Sequence, residues 1–198
     1  MEKIPTMYSR DESVRGHPVV PGVKPECAWV EAGEGVATRK IDGMNVKVEN
    51  RQLLKRQKPK DREYDRASYA PCSRNNPTDK YLFEAFDNSD TLYRRDYGKP
   101  LDDGIYEAVG PKIQGNTENL PCHVLISVVP VSPSLHAGTP NDLVPRDFDG
   151  LRSFLSTPHG GGWGFERQYY EGLVFHHLDG RLAKIKRRDF GLSWPVKE

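Results

Sequence analysis

Four charged residues have types and spacings suited to chemistry on phosphates. Lys40 stands two residues before the Asp-Gly pair of "KIDG". Lys184 and Lys186 alternate, so their side chains share one face of a strand, and Glu171 lies on the other arm of the same predicted hairpin. A deprotonated lysine amine can attack phosphorus. The other two lysines can neutralise phosphate oxygens, and the carboxylate can help to bind a divalent metal.

Each of these residues, taken alone, is more simply an exposed charge on a hairpin, because lysine and glutamate are mostly surface residues. Their combination favours chemistry. Arg39 and Arg56 add two further cations that, with Lys184 and Lys186, favour the neutral form of the Lys40 amine, since like charges repel. The sequence therefore predicts a nucleotide-phosphate site built around Lys40.

Two hairpins are predicted to position these residues. Residues 43–57, "GMNVKVENRQLLKRQ", alternate apolar and polar side chains and are expected to turn near Asn50 and Arg51. Residues 171–186, "EGLVFHHLDGRLAKIK", are expected to turn at Asp179 and Gly180, a pair that tolerates the positive φ angles of a tight turn.

The remaining pattern predicts an α+β fold. Further strands are expected over 80–86, 104–110 and 122–129, and a helix over 146–156 with Asp147 as its N-cap. Loops are predicted at residues 59–79, 130–146 and 157–164. We expect one domain over residues 1–198, built of mainly antiparallel sheets with flanking helices.

Composition excludes some classes of protein and localises the charge. The net charge is +1, so no global field drives the chain onto nucleic acid or membrane. Three cysteines without C-x-x-C spacing argue against a disulfide framework or structural zinc. The same cysteine pattern favours a reducing cytosol or nucleus. Because no long apolar run is present, we expect a soluble protein without membrane partners. Basic residues cluster in two windows, at Arg51, Lys55, Arg56, Lys58, Lys60, Arg62 and Arg66 and at Arg181, Lys184, Lys186, Arg187 and Arg188.

Four short motifs occur along the chain: "KIDG" at 40–43, "IYEAVG" at 105–110, "EGLVF" at 171–175 and "KIK" at 184–186. In order and spacing they resemble the nucleotidyltransferase motifs of ATP-dependent polynucleotide ligases and messenger-RNA capping enzymes. Two longer stretches, residues 106–116 and 169–195, are similar to those of the compact vertebrate-type 5′-to-3′ RNA ligases, which have bacterial and viral relatives. The fold that the resemblance implies is the ligase nucleotidyltransferase core.

The resemblance implies a role for each matching residue. Lys40 would attack the α-phosphorus of ATP and form a lysyl-adenylate, and Lys184 and Lys186 would contact the α-phosphate. Glu107 would hydrogen-bond the ribose, and Arg56 would contact the ribose and the substrate phosphate. We also expect Arg39, beside the nucleophile, to contact the nucleotide. Glu171 would bind the metal, for which Mg²⁺ is expected and Mn²⁺ is an alternative, since both take oxygen ligands.

The implied partner is RNA with 5′-phosphate and 3′-hydroxyl ends, joined during RNA repair. Only twelve residues follow Lys186, so no oligonucleotide-binding barrel is expected after that strand, and a monomer is favoured. The basic window from Arg51 to Arg66 could follow an RNA backbone, with affinity that falls steeply with salt, or could be solvated surface charge. Two alternatives stay open: another nucleotidyltransferase that caps or adenylylates a different end, and a non-catalytic nucleotide- or RNA-binding module.

Overall fold

A computed structural model describes residues 3–57, 68–128, 143–160 and 168–196. The chain divides into two compact units, Met1–Lys3 with Ile41–Val129 (the first unit) and Ile4–Lys40 with Pro130–Glu198 (the second unit). The prediction of one domain over residues 1–198 stays a prediction, since these two units could belong to a single domain.

Ten strands and three α-helices lie in the described residues. In chain order they are β1 (Tyr8–Arg10), β2 (Val19–Val23), α1 (Ala28–Glu31), β3 (Val36–Lys40), β4 (Met44–Glu49), β5 (Gln52–Gln57), β6 (Ser68–Pro71), α2 (Lys80–Tyr97), β7 (Gly104–Val109), β8 (Val124–Ser127), α3 (Phe148–Ser156), β9 (Gly172–His176) and β10 (Leu182–Lys186).

The first unit is built on a five-stranded antiparallel sheet with the strand order β6-β5-β4-β7-β8. Strands β4, β5, β7 and β8 bury alternate side chains, and helix α2 packs against β7 and β8. The opposite side of these strands carries both polar and apolar side chains, most of them half-buried or exposed. The core comprises Val46, Val48, Leu53, Leu82, Ala85, Phe86, Leu101, Tyr106, Ala108, Ile113 and Leu125.

The second unit contains the two-stranded sheet β1-β2 and the three-stranded antiparallel sheet β10-β9-β3. One face of the three-stranded sheet lies in a core with helix α3 and the ring of Tyr8. Its other face is half-buried and carries the lysines discussed below. Because every pairing between the strands named above is antiparallel, the predicted α+β class with mainly antiparallel sheets is confirmed.

Both predicted hairpins are confirmed. Strands β4 and β5 turn at Asn50 and Arg51, whose φ angles of 48° and 65° are those of a primed turn. Strands β9 and β10 turn through Gly180, at φ 91°, while the Asp179 carboxylate accepts a hydrogen bond of 3.0 Å from the Arg181 backbone N–H. Turn chemistry that is local in the sequence therefore sets both registers.

The strand predicted over 80–86 is wrong, since these residues begin the helix α2. Leu82, Ala85, Phe86 and Ser89 are buried at the spacing of one helical face. Gly98 ends the helix in the left-handed conformation, at φ 69°, with its N–H bonded to the Arg94 carbonyl. The helix periodicity extends past residue 86, so the seven-residue window was too short to distinguish it from a strand.

The helix predicted over 146–156 is confirmed as α3, and its N-cap is the predicted one. The Asp147 carboxylate accepts a hydrogen bond of 2.8 Å from the Gly150 N–H. The predicted loop 59–79 contains strand β6, and β3 was not predicted as a strand. Most of the predicted loops 130–146 and 157–164 lies outside the described residues.

Candidate functional site

Lys40 is the last residue of β3, and the strand register aligns it with the β10 lysines. Lys40 pairs with Gly172 on β9, and Gly172 pairs in turn with Lys186. Residues directly opposite in an antiparallel sheet point to the same side, as do residues two apart on one strand. The sheet therefore presents Lys40, Lys184 and Lys186 on one half-buried face.

The Lys40 ammonium contacts a carboxylate at the end of this sheet. Its Nζ lies 2.5 Å from Oε2 of Glu171, and the two side chains are 26% and 12% exposed. Among the described residues, Lys40 is the one side chain that donates to this carboxylate. The amine and the carboxylate therefore meet beside the face that Lys184 and Lys186 share.

Gly172 fills the position between Lys40 and Lys186, and the packing requires that it have no side chain. A Cβ atom added there would lie 2.2 Å from the Ile185 carbonyl oxygen and 2.9 Å from the Lys186 Cα. These are backbone atoms of β10, so they cannot move away without shifting that strand. Gly172 therefore sets how closely β10 approaches β9 beside the lysines.

Arg39 does not share the face of Lys40. Adjacent strand residues point to opposite sides, and Arg39 faces the core, 9% exposed, with its guanidinium 4.8 Å from the centre of the Tyr170 ring. This packing is a cation–π contact. Arg39 therefore lies on the opposite side of the sheet from Lys40, Lys184 and Lys186, and its contact with a nucleotide stays a prediction.

Glu107 and Arg56 lie in the first unit, on the face of the five-stranded sheet opposite the buried Val46. Glu107 accepts a hydrogen bond of 3.1 Å from the Asn45 side-chain amide, and the Tyr69 hydroxyl donates a hydrogen bond of 2.7 Å to the side-chain oxygen (Oδ1) of Asn45. Arg56, which is exposed, is the register partner of Tyr69. Sequence reasoning missed Asn45 and Tyr69, although Asn45 lies two residues after the "KIDG" motif.

The Asp-Gly pair after Lys40 is held by its own surroundings in the first unit. The Asp42 N–H donates to the buried Glu118 carboxylate over 3.2 Å, and the Thr117 hydroxyl donates to the Asp42 carbonyl. A Cβ on Gly43 would lie 2.5 Å from the Ala108 carbonyl oxygen. The glycine of the motif is therefore required by packing against β7.

Much of the first basic window is neutralised or lies outside the described residues. Arg51 forms two hydrogen bonds with Asp90, and Lys55 pairs with the buried Asp79 over 2.5 Å. Lys58, Lys60, Arg62 and Arg66 are not among the described residues. Binding of this window to an RNA backbone stays a prediction, and the paired residues would contribute little net charge to it.

The second basic window is also partly engaged. Arg181 pairs with Asp179 over 2.7 Å, and Arg188 donates to the Trp194 carbonyl. Burial lowers the pKa of Arg187, which is 5% exposed and stacks on the Tyr169 ring. Of this window, Lys184 and Lys186 are the members that the sheet register places on the face of Lys40.

No group of three or more His, Cys, Asp and Glu side chains is placed to bind a metal in the part of the chain that the structure describes. Glu171 alone therefore carries the metal prediction. None of the described helices is both long and apolar enough to cross a bilayer.

No protein-family model matches the chain, and no curated protein sequence matches it significantly. Solved structures of Naegleria gruberi RNA ligase do match. An apo form aligns with 96% of this chain at 16% identity and a TM-score of 0.43, and this chain spans 58% of its length. Two single-alanine variants with ATP and Mn align with 94% and 93% at 14% and 17% identity, with TM-scores of 0.41 and 0.43. This chain spans 61% and 59% of their lengths.

Proposed function

We propose that this chain is an ATP-dependent RNA ligase that works through a covalent AMP on Lys40. One observation carries the proposal. The Lys40 amine contacts the Glu171 carboxylate at the end of a sheet whose register sets Lys184 and Lys186 on the same face as Lys40. The four ordered sequence motifs support the same assignment. A nucleophile, two phosphate-neutralising cations and an acidic group are the parts that nucleotidyl transfer needs.

In the first step the neutral Lys40 amine attacks the α-phosphorus of ATP. A nitrogen–phosphorus bond forms, the bond from the α-phosphorus to the bridging oxygen breaks, pyrophosphate leaves, and the amine proton passes to solvent. Lys184 and Lys186 neutralise the charge on the α-phosphate oxygens as it develops. The resulting phosphoramidate conserves the free energy of ATP and divides one difficult condensation into simpler displacements.

Separation of Lys40 from Glu171 is part of this proposal, because an ammonium has no lone pair with which to attack. In the structure the two side chains are in contact, so the amine must leave the carboxylate before it attacks phosphorus.

Glu171 fits a hard divalent cation, because its carboxylate has one donor among the described residues and oxygen ligands suit Mg²⁺ and Mn²⁺. Such an ion, when bound, would neutralise negative charge on the phosphates. The protein's own residues would hold ATP, with Glu107 bonded to the ribose hydroxyls and Arg56 in contact with the ribose and the substrate phosphate.

In the later steps the AMP passes from Lys40 to the 5′-phosphate of an RNA, which forms a pyrophosphate linkage and frees the lysine. A 3′-hydroxyl then attacks the RNA phosphorus. A phosphodiester bond forms, AMP leaves, and the hydroxyl proton goes to solvent. The net reaction joins two RNA ends at the expense of one ATP, which suits the repair of broken RNA.

The test of this proposal is intact-protein mass spectrometry after incubation with ATP and Mg²⁺. We expect the wild-type protein to gain the mass of one AMP and to release pyrophosphate. The matched variant Lys40→Arg keeps the positive charge but should gain nothing. An unmodified wild-type protein, or an equal gain in Lys40→Arg, would contradict the proposal.

RNA substrates then separate ligation from the alternatives. We expect a nicked RNA with a 5′-phosphate to be sealed and the same RNA with a 5′-hydroxyl to stay open. Transfer of labelled GTP in place of ATP would identify a capping activity instead. ATP binding without pyrophosphate release would identify a non-catalytic binding module.

A further inference from the structure

We propose that Tyr69 is a positioning residue, which acts through Asn45 to orient the carboxylate of Glu107. The proposal deepens the function proposed above and rests on it, since it takes from there the contact between Glu107 and the ribose. Tyr69 lies in a segment predicted as loop, and neither the sequence motifs nor their resemblance to ligases gives it a role.

Three strands of the first unit align the three side chains. Tyr69 is on β6, Asn45 on β4 and Glu107 on β7, and the register pairs Asn45 directly with Glu107. The Tyr69 hydroxyl donates to the Asn45 Oδ1 over 2.7 Å, and the Asn45 Nδ2 donates to the Glu107 Oε1 over 3.1 Å. Both distances are those of good hydrogen bonds between half-buried groups.

The direction of this relay is fixed by the chemistry of its two ends. An ionised carboxylate only accepts hydrogen bonds, so the amide must turn its NH₂ group toward Glu107. The amide oxygen then faces Tyr69, which must donate. In the reversed amide the oxygen would meet the carboxylate with two acceptors in contact and no proton between them. Tyr69 therefore supplies the second hydrogen bond to the amide in the one orientation that supports Glu107.

The surroundings of Tyr69 keep its hydroxyl a donor. Burial raises the pKa of this phenol, and the positive charge of Arg56 opposes the increase without reversing it. The Tyr69 hydroxyl is thus protonated at neutral pH and can donate a hydrogen bond. Without the hydroxyl the Asn45 amide keeps its bond to Glu107 but loses the second hydrogen bond that fixes its position, so the Glu107 carboxylate is oriented less firmly.

The variant that tests the relay is Tyr69→Phe, made in the Lys40→Arg protein so that no covalent adduct can form. The dissociation constant is measured by isothermal titration calorimetry for ATP and for 2′,3′-dideoxy-ATP, which has no ribose hydroxyls. We expect about a fivefold weaker affinity for ATP, the size of one ordinary hydrogen bond. The affinity for the dideoxy nucleotide should not change, because it offers Glu107 nothing to bind.

Tyr97→Phe is the matched control, since it removes a phenol hydroxyl from an exposed position, 64% accessible, in the same unit. It should leave both affinities unchanged. In a Glu107→Ala background, Tyr69→Phe should have no further effect on ATP. Circular dichroism checks that each variant is folded.

Equal weakening of both nucleotides by Tyr69→Phe, or no weakening of ATP, would overturn the relay. So would a full effect of Tyr69→Phe in the absence of the Glu107 carboxylate. These outcomes leave the Lys40 chemistry unaffected, because the binding measurement does not depend on it. A wild-type protein that shows the expected nucleotide selectivity but forms no AMP adduct would overturn the lysine chemistry alone.

Discussion

Two half-buried carboxylates, Asp90 in the first unit and Glu171 in the second, show how differently one acidic group can be used. Asp90 accepts four hydrogen bonds, two from Arg51, one from Arg94 and one from the Leu101 N–H, at 2.6 to 3.0 Å. Glu171 accepts one side-chain bond among the described residues, from Lys40. The two carboxylates are 14% and 12% exposed, so burial does not distinguish them.

The number of donors distinguishes them instead. A carboxylate has about four lone-pair positions, and the partners of Asp90 occupy them all. Its charge joins α2, the β4–β5 turn and the segment after α2. Among the described residues the Glu171 carboxylate accepts from Lys40 alone, so it keeps capacity for another ligand. The contrast fits a fold-stabilising role for Asp90 and the proposed chemical role for Glu171.

The largest expected effect is on the rate of AMP-adduct formation and comes from replacing the Glu171 carboxylate by an amide. Glu171→Gln removes the charge and keeps the shape, so the rate of AMP-adduct formation should fall about 10²–10³-fold, the cost of losing one charged group that acts on the transition state. The free energy of unfolding should change by less than about 1 kcal/mol, because the lost ion pair is partly solvated. Rapid-quench mass spectrometry and urea unfolding measure the two quantities. An unchanged rate would remove Glu171 from the proposed chemistry.

Gly172→Ala tests whether strand spacing positions the lysines. The added Cβ would collide with the Ile185 carbonyl, so β10 must move, and the adduct should form about 10²-fold more slowly, as expected for a displacement near 1 Å at a reacting group. Gly160→Ala is the control, since none of the described residues other than its chain neighbours lies within 4 Å of a Cβ added there. If both variants react at the wild-type rate, close approach of β10 is not needed.

Asp90→Asn should lower stability and leave activity unchanged, which is the reverse of the effect expected for Glu171→Gln. Loss of the charge weakens hydrogen bonds to two guanidinium groups, so the free energy of unfolding should fall by about 2 kcal/mol. The folded protein should form the AMP adduct at the wild-type rate. Urea titration measures the first quantity and mass spectrometry the second. A loss of activity at unchanged stability would contradict the contrast between the two carboxylates.

The smallest expected effect is the pH dependence of the stability that Asp90→Asn loses. Hydrogen bonds from Arg51 hold the pKa of Asp90 well below its ordinary value of 3.8. A group with a lowered folded pKa adds stability that is complete above its unfolded pKa and declines as the pH falls below it. The difference in unfolding free energy between wild type and Asp90→Asn should thus be constant from neutral pH to about 5 and narrow by about pH 3. If the difference in unfolding free energy instead widened at acid pH, the negative charge of Asp90 would not be the source of the stability.

The sequence predicted what local chemistry determines. Asn50 with Arg51, and Asp179 with Gly180, define their hairpins within a few residues of chain, and alternation alone put Lys184 and Lys186 on one face. Asp147 was predictable as an N-cap because capping depends on the next three residues.

What the sequence could not predict depends on partners distant in the chain. Strand β3 is five residues long, and its pairing with β9 lies over a hundred residues away, so the contact of Lys40 with Glu171 had no local signal. Arg39 was grouped with Lys40 as its neighbour, although strand alternation puts it on the core side. Tyr69 lies in the four-residue strand β6, which is too short for its alternation to be distinguished from loop.

The central claim is that the Lys40 amine is the nucleophile, and peptide mapping of the AMP-bearing protein tests it most directly. The protein is incubated with ATP and Mg²⁺, digested, and sequenced by tandem mass spectrometry under conditions that preserve phosphoramidates. We predict one modified residue, Lys40, and no modified peptide in Lys40→Arg. AMP attached to any other residue, or ATP bound with no covalent product, would contradict the account.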